Sequence, residues 1–377
     1  MPDSPSHLGW LALGLVPGLG SRNAAKLLAA FGTPEAIFRA PLTELEALGL
    51  SAAIAQVIYS QKPLQRAEKE LARVKEIGCQ LITWNDAQYP RLLREIYDPP
   101  PLIYLLGDIE VLSRHSIAIV GTRRPTPYGN QMAERLGLDL AERGLAIVSG
   151  LARGIDTLAH RGALRASSGK TVAVVGCGLD ILYPKENKKL FDEIAGGRGA
   201  VVTELPTGSP PVPQNFPVRN RIIAGLALGA VIVEGTEHSG SLITARLAME
   251  FGREVYGVPG NATQPASYGP NQLIKQGAKL VTGWQDVIEE LPTAVRAALV
   301  PVQTTTAAER ASLVNESLFG PERTLYDLLG PDQSRHIDEL VENSGLSSSE
   351  ALAALFDLEM KGYVRQLPGK QFVKVML

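Results

Sequence analysis

Apolar residues along the chain fall into short uninterrupted runs separated by amphipathic stretches, and the clearest example lies in residues 116–157. The run 117–120 ends in Gly121 and is followed by Arg123 and Arg124. It gives way to a helical pattern through Ala133, Leu136 and Leu140, and then to a second apolar run at 146–148. That order predicts a βαβ unit. Strand runs this uniformly apolar are buried on both faces, which predicts a parallel sheet covered by helices on either side.

The same rhythm continues. Apolar runs at 171–175, 200–203, 230–233, 254–258 and 279–281 alternate with helical patterns at 159–165, 188–194, 221–228 and 242–251. Strand and helix alternating this often predict an α/β domain with a doubly wound, mainly parallel, Rossmann-like sheet. Ligands of such sheets sit outside the carboxyl ends of the strands. Here those ends are rich in small and polar residues: Gly121 to Arg124, Ser149 to Gly154, Gly176 and Gly178, Glu204, Glu234 and Gly235, Pro259 and Gly260. Glycines let a ligand approach the backbone, and arginines offer forked donors that fit phosphate oxygens. A polyanion is the expected ligand. A dinucleotide is not, because the first turn lacks the G-x-G-x-x-G spacing, the second strand ends in Ser149-Gly150 without a ribose-binding acid, and no P-loop is present.

Four regions follow from the pattern. Residues 1–75 are helical, and the glycine turn at 16–21 before an amphipathic helix resembles a helix-hairpin-helix (SAM-like) module whose turn amides can meet a phosphate. The alternative there is a packing module, and with eight basic against six acidic side chains the charge does not choose. Residues 76–292 hold the α/β domain. They begin with a short strand, a helix and an extended segment in which the prolines at 99–101 forbid a helix. Residues 293–312 read as a linker. Residues 313–377 show helical patterns at 322–329, 337–343 and 348–361 and a hairpin around Pro368-Gly369, which make a winged-helix domain. Residues 311–377 carry six basic and ten acidic side chains, so most of that surface repels phosphate and a protein-contact role is expected for it.

Composition narrows the setting. The chain has 377 residues and a formal net charge of −2, so any nucleic-acid binding must come from a local patch. No apolar run is long enough for a membrane span and the amino terminus lacks signal-peptide order, which predicts a cytoplasmic protein. Cys79 and Cys177 form no metal or redox spacing.

Six segments, GTRRPTPYG, SGLARGIDTLAH, GKTVAVVGCGLDILYPKEN, FPVRNRIIAGL, SGSLITARLAMEFGREVYGVPGN and GPNQLIKQGAKLV, occur in this order between Gly121 and Val281. Together they resemble the DNA-processing protein A (DprA, or Smf) family across residues of about 80 to 292. The resemblance implies a homodimeric, single-stranded DNA binding protein that helps load RecA during natural transformation, with no reaction catalysed and no cofactor or metal. It implies DNA contacts at Arg123 and Lys185, a dimer contact at 271–280 anchored by Ile274 and Leu280, and a RecA contact at Met249 and Lys275.

The residues themselves add to this set. Arg219 and Arg221 sit beside Pro217 and are expected in a stiff turn before a helix, near the rim, with a salt bridge to Glu204 or Glu234 as the alternative. Arg153 lies in a neighbouring loop. Gly240 and Ser241 open a helix whose free amides favour a phosphate. Phe216 and Tyr128 are candidate stacking platforms. An enzyme reading also exists, because the rim carries Asp156, His160, Cys177, Glu204, Glu234, His238 and Ser241. It would be a phosphoribohydrolase-like nucleotide hydrolase, although His238-Ser239-Gly240-Ser241-Leu242 stands where such enzymes have P-G-G-x-G-T.

Overall fold

The computed structural model describes residues 6–299, 318–331 and 333–375. Its centre is a nine-stranded sheet: β1 Gln80–Thr83, β2 Leu102–Gly107, β3 Ser116–Val120, β4 Ala146–Ser149, β5 Thr171–Val174, β6 Gly199–Thr203, β7 Gly229–Ile232, β8 Glu254–Gly257 and β9 Lys279–Leu280. The spatial order is β1-β2-β6-β5-β4-β3-β7-β8-β9. From β6 to β9 every pairing is parallel, whereas β1 and β2 are antiparallel additions at one end. The connection from β1 to β2 explains that end. It contains only the short helix Arg91–Arg94, which is too small to cover the sheet as a crossover helix would, and the chain returns in the opposite direction.

Alternate residues of each central strand feed opposite faces. Ala118 and Val120 of β3 join a core with Ile222 and Ile223, while Ile117 and Ile119 join another with Leu136 and Ala159. This is the doubly wound α/β architecture. On the second face, helices Pro127–Glu142 and Ile155–Arg165 approach at two glycines. A Cβ on Gly137 would lie 2.5 Å from the Ala159 carbonyl oxygen, and one on Gly162 would overlap the Glu134 carbonyl.

The amino-terminal helices, from Ser6–Gly14 to Lys62–Glu76, share their core with the sheet: Trp10, Leu27 and Val74 pack in one cluster with Leu102, Tyr104 and Val201. Buried Glu70 fixes the contact by accepting hydrogen bonds from Thr207 N at 2.7 Å and Thr207 Oγ1 at 2.8 Å. In the glycine turn, Val16 and Leu19 are buried, and Gly20 and Ser21 line a cavity of about 160 Å³ opposite Pro101, Leu102 and Glu204. That side of the turn therefore faces the sheet.

Helix Thr293–Ala298, with Val295 buried, occupies the start of the segment read as a linker. The stretch 301–306, also read as linker, lies outside the described residues. Beyond it, helices Pro321–Leu328, Ile337–Ser344 and Ser348–Met360 and a three-stranded sheet, β10 Arg335–His336, β11 Val364–Leu367 and β12 Gln371–Lys374, form the winged helix. It rests on helix Pro127–Glu142, where Gln131 Nε2 donates to the Lys374 carbonyl at 2.8 Å and Glu134 lies 3.6 Å from Arg365.

The two-glycine contact predicts the sign of a substitution. Alanine is favoured over glycine in a helix by about 1 kcal/mol, but Gly162→Ala forces the two helices apart and should cost about 1–3 kcal/mol instead. Denaturant unfolding measures this, and an unchanged or raised midpoint would show that the helices separate freely.

Candidate nucleic-acid interface

The carboxyl ends of β3, β4, β5 and β7 surround an open cleft of about 670 Å³, lined in part by Arg123, Arg124, Tyr183, Phe216, Arg219 and Ser241. Its floor is set by helix Asn215–Leu226. The helix begins earlier than the pattern suggested, because Pro217 falls in its first turn, where the missing N–H costs nothing. Arg219 and Arg221 are thus helical residues rather than parts of a stiff turn. Residues two apart on a helix point about 200° from each other, and the two arginines part company accordingly.

Arg219 faces the cleft. Its Nη1 donates to the Gly150 carbonyl at 2.8 Å and to the Val174 carbonyl, so it ties together the ends of β4 and β5. It is buried, and burial lowers its pKa to about 10, which leaves it charged at neutral pH. Asp156 lies beneath it and accepts a hydrogen bond from Gly150 N at 3.0 Å. Burial pushes that carboxyl up to about 6, against the pull of Arg219. Arg221 turns away from the cleft, where it pairs with Glu204 at 2.6 Å and Asp98 at 3.2 Å while only 6% exposed. It anchors helix Asn215–Leu226 to the end of β6 and to the segment before β2.

Two guanidinium groups lie near the Phe216 ring. The Arg123 guanidinium lies 5.6 Å from the ring centroid and that of Arg219 lies 6.0 Å away, and the Tyr183 ring is 5.5 Å from it at 39°. Arg123 is exposed and Phe216 half-buried. Arg153 lines the same end of the cleft and is paired with Glu186, while Lys185 is exposed next to Pro184, which lines the wall. Gly240 and Ser241 line the opposite wall at the start of helix Gly240–Glu250. Ser241 Oγ meets Ser239 Oγ at 2.8 Å, and neither hydroxyl caps the helix. The structure therefore gathers Arg123, Arg153, Arg219, Gly240 and Ser241 around one cleft, sets Lys185 next to the wall residue Pro184, and leaves Arg221 behind it.

Tyr183 is the residue that the sequence reasoning passed over. Its signal was present, since it directly precedes Pro184-Lys185 in one of the six segments. Tyr128, by contrast, donates its hydroxyl to the Pro259 carbonyl at 2.9 Å and lines a separate crevice of about 370 Å³ against the winged helix at Pro331 and Gln333.

The groups that suggested catalysis are held as follows. His160 is fully buried, with Nδ1 2.6 Å from Thr171 Oγ1 and Nε2 accepting from Leu151 N at 3.3 Å; burial holds its pKa down at about 3. The Cys177 thiol is buried and pushed up to about 11, far from the thiolate range needed for a nucleophile at neutral pH. Glu234 accepts hydrogen bonds from Thr126 N at 2.9 Å and Thr126 Oγ1 at 2.5 Å. Among the described residues, no group of three or more His, Cys, Asp or Glu is placed to hold a metal ion, and no helix is long and apolar enough to cross a membrane.

Comparison with known proteins shows the family. The family model for DNA recombination-mediator protein A matches residues 80–292, and the DprA winged helix domain matches 309–370. The chain belongs to the DprA/Smf family. Protein Smf of Synechocystis is 33% identical over 96% of this chain and 97% of its own length. The DNA processing protein DprA of Bacillus subtilis is 44% identical over 59% of this chain and 74% of its own length. The crystal structure of DprA from Streptococcus pneumoniae covers 75% of this chain and 98% of its own, with 37% identity and a TM-score of 0.68. A structure of the Helicobacter pylori protein, described for its single-stranded DNA binding mode, covers 56% of this chain and 94% of its own, with 33% identity and a TM-score of 0.51.

His160 gives a pH test of this interior. Its pKa falls from 6.5 in the unfolded chain to about 3 in the fold, so its contribution is complete above pH 6.5 and is lost as pH falls toward the folded value. Asp156 works in the opposite sense, because its raised pKa favours the fold at low pH, so the wild-type curve alone mixes the two. The difference in unfolding free energy between wild type and His160→Gln should shrink by about 1.4 kcal/mol per unit as pH is lowered from 6.5 toward 4. A pH-independent difference would mean that the imidazole protonates freely in the native state.

Proposed function

We propose that the protein binds single-stranded DNA in the cleft at the carboxyl ends of the strands and passes it to RecA recombinase during natural transformation. In this reading it works in the cytoplasm as a homodimer and catalyses no reaction. The observation that carries the reading is the gathering of Arg123, Arg219 and Tyr183 around the Phe216 ring. A single strand offers two things that a duplex hides or holds rigidly: free base faces and a flexible line of phosphates. Aromatic rings bind the first, and guanidinium groups bind the second.

Arg219 supplies a fixed positive charge under the cleft, and exposed Arg123 and Lys185 meet phosphates from solvent. Arg153 joins them by exchanging Glu186 for DNA. The amides at Gly240 and Ser241 give a further phosphate seat. Arg221 supports the site by positioning the helix that carries Phe216 and Arg219. The nucleotide-hydrolase alternative loses two of its candidate groups, because His160 and Cys177 are buried and committed to neighbours. The RecA and transformation roles rest on the family resemblance, and the family's description names a recombination mediator.

Dimerisation is assigned to the open edge of the sheet. Leu280 lies in the last strand, β9, and is 43% exposed, while Ile274 packs its side chain on Gly257 and is half-buried. Met249 and Lys275, the proposed RecA contact, are both exposed near the carboxyl ends of helices Gly240–Glu250 and Tyr268–Lys275. Those helix ends lead into β8 and β9, so they lie at the opposite rim of the sheet from the DNA cleft.

Two arginine variants separate binding from folding. Arg123→Ala should fold normally, weaken oligothymidine binding, and flatten the dependence of log affinity on log salt by roughly 0.7. Arg221→Ala should lose about 3–5 kcal/mol of stability, since it strands two carboxylates. Fluorescence anisotropy and thermal unfolding measure both. Normal DNA binding by folded Arg123→Ala would remove the cleft assignment.

For the dimer, Leu280→Glu is the cleaner substitution because the side chain is exposed in the single chain. It should give a folded monomer by light scattering, with weakened binding to long single strands and near-normal binding to oligonucleotides that reach only one cleft. A persistent dimer would remove the edge as the interface, and equal weakening on both lengths would remove the bivalent mechanism.

A further inference from the structure

The third helix of the winged-helix domain is built unlike a reader of nucleic acid. Ser348–Met360 buries Ala351, Ala354, Leu355 and Leu358 in its own domain. Its outward side carries Leu352, Phe356 and Met360, spaced four apart and therefore aligned in one stripe. These side chains are 53%, 62% and 73% exposed, in a position where polar residues would be expected on a solvent-facing helix. Lys361, just past the helix, holds Glu322 at 2.6 and 2.7 Å, which brings the start of helix Pro321–Leu328 to the Met360 end. Phe319, just before that start, is 75% exposed.

Within the helices Ile337–Ser344 and Ser348–Met360 the charge has one sign, while Lys361 just beyond is held by Glu322. From Ile337 to Met360 the chain has six carboxylates, Asp338, Glu339, Glu342, Glu350, Asp357 and Glu359, and no lysine or arginine. Some are used internally: Glu339 pairs with Arg335 at 3.2 Å, Glu350 caps Ser347, and Glu359 accepts from Gln366 N at 3.0 Å. Glu342 and Asp357 are exposed on the same pair of helices.

We propose that this stripe is the docking site for an amphipathic helix of another protein, apolar on one face and flanked by lysine or arginine. The spacing of Leu352, Phe356 and Met360 matches the anchor pattern by which one helix seats another. The carboxylates choose among occupants. They repel nucleic acid, and a second copy of the same helix would set carboxylate against carboxylate, whereas a basic helix converts both features into attraction. Methionine and phenylalanine give the surface enough adaptability to close on side chains of varied shape.

The test uses the full-length protein and a fluorescein-labelled synthetic peptide of about 18 residues, long enough to be helical, with leucines on one face and lysines on both flanks. Two control peptides carry a scrambled order or glutamate in place of lysine. The lysine peptide should bind, the controls at least about tenfold more weakly, and binding should weaken with added salt. Phe356→Ser with Met360→Ser should lose at least about tenfold in affinity, while thermal unfolding and oligothymidine binding stay as in wild type. Leu352→Gln serves as a milder variant in case the double substitution disturbs folding. Equal binding of the scrambled peptide, or wild-type affinity in both variants, would overturn the proposal. So would loss of self-association or of duplex DNA binding in the double variant, which would assign the stripe to a second copy or to nucleic acid.

Discussion

The buried guanidinium of Arg219 is the interaction on which the candidate site depends. A charge taken out of water is costly unless it finds partners, and here it finds the carbonyls of Gly150 and Val174 and the nearby carboxylate of Asp156. These partners sit at the ends of two adjacent parallel strands, where backbone carbonyls would otherwise face the cleft unpaired. One side chain thus satisfies the rim, fixes the helix that carries Phe216, and leaves a positive potential under the surface. Arg123 can then remain exposed, because the fixed part of the field is already in place. Arg221, two residues further along, performs a parallel service on the back of the same helix.

The division between legible and illegible features has a physical basis. The central strands were readable because burial on both faces leaves no room for polar interruptions, so β3 to β8 stand out as apolar runs. The winged helix was readable for a similar reason, as its helix periodicity and its Pro368-Gly369 turn leave few alternatives. The antiparallel β1 and β2 were less so, since direction depends on what the connection does in space. Pro217 hid the start of helix Asn215–Leu226, because the same residue opens a helix or blocks one according to position. That single misplacement put Arg219 and Arg221 on one side. Tyr183 went unnoticed because its partner Phe216 is far away in sequence and only the fold brings the rings together.

The amino-terminal helices illustrate a different limit. Their apolar pattern predicts a helical bundle, yet part of their core is supplied by β2 and β6, and Glu70 is satisfied by Thr207, a residue outside the bundle. A sequence pattern shows that a face must be covered and does not say by what. The glycine turn between the first two helices is another example, with Val16 and Leu19 buried and Gly20 and Ser21 turned toward the sheet.

The central strands are short, and their length has a mechanical consequence. A strand of four residues such as β8 spans only about 13 Å. Along the strand direction, the rim that carries Arg123, Phe216 and Arg219 and the rim that carries Met249 and Lys275 are therefore separated by only about that length, and the packed strands between them form a wall. Two macromolecules bound at the two rims would be neighbours without competing for a single atom. Under the proposed function the sheet would serve as a partition, with each bound macromolecule free to engage or depart in its own order.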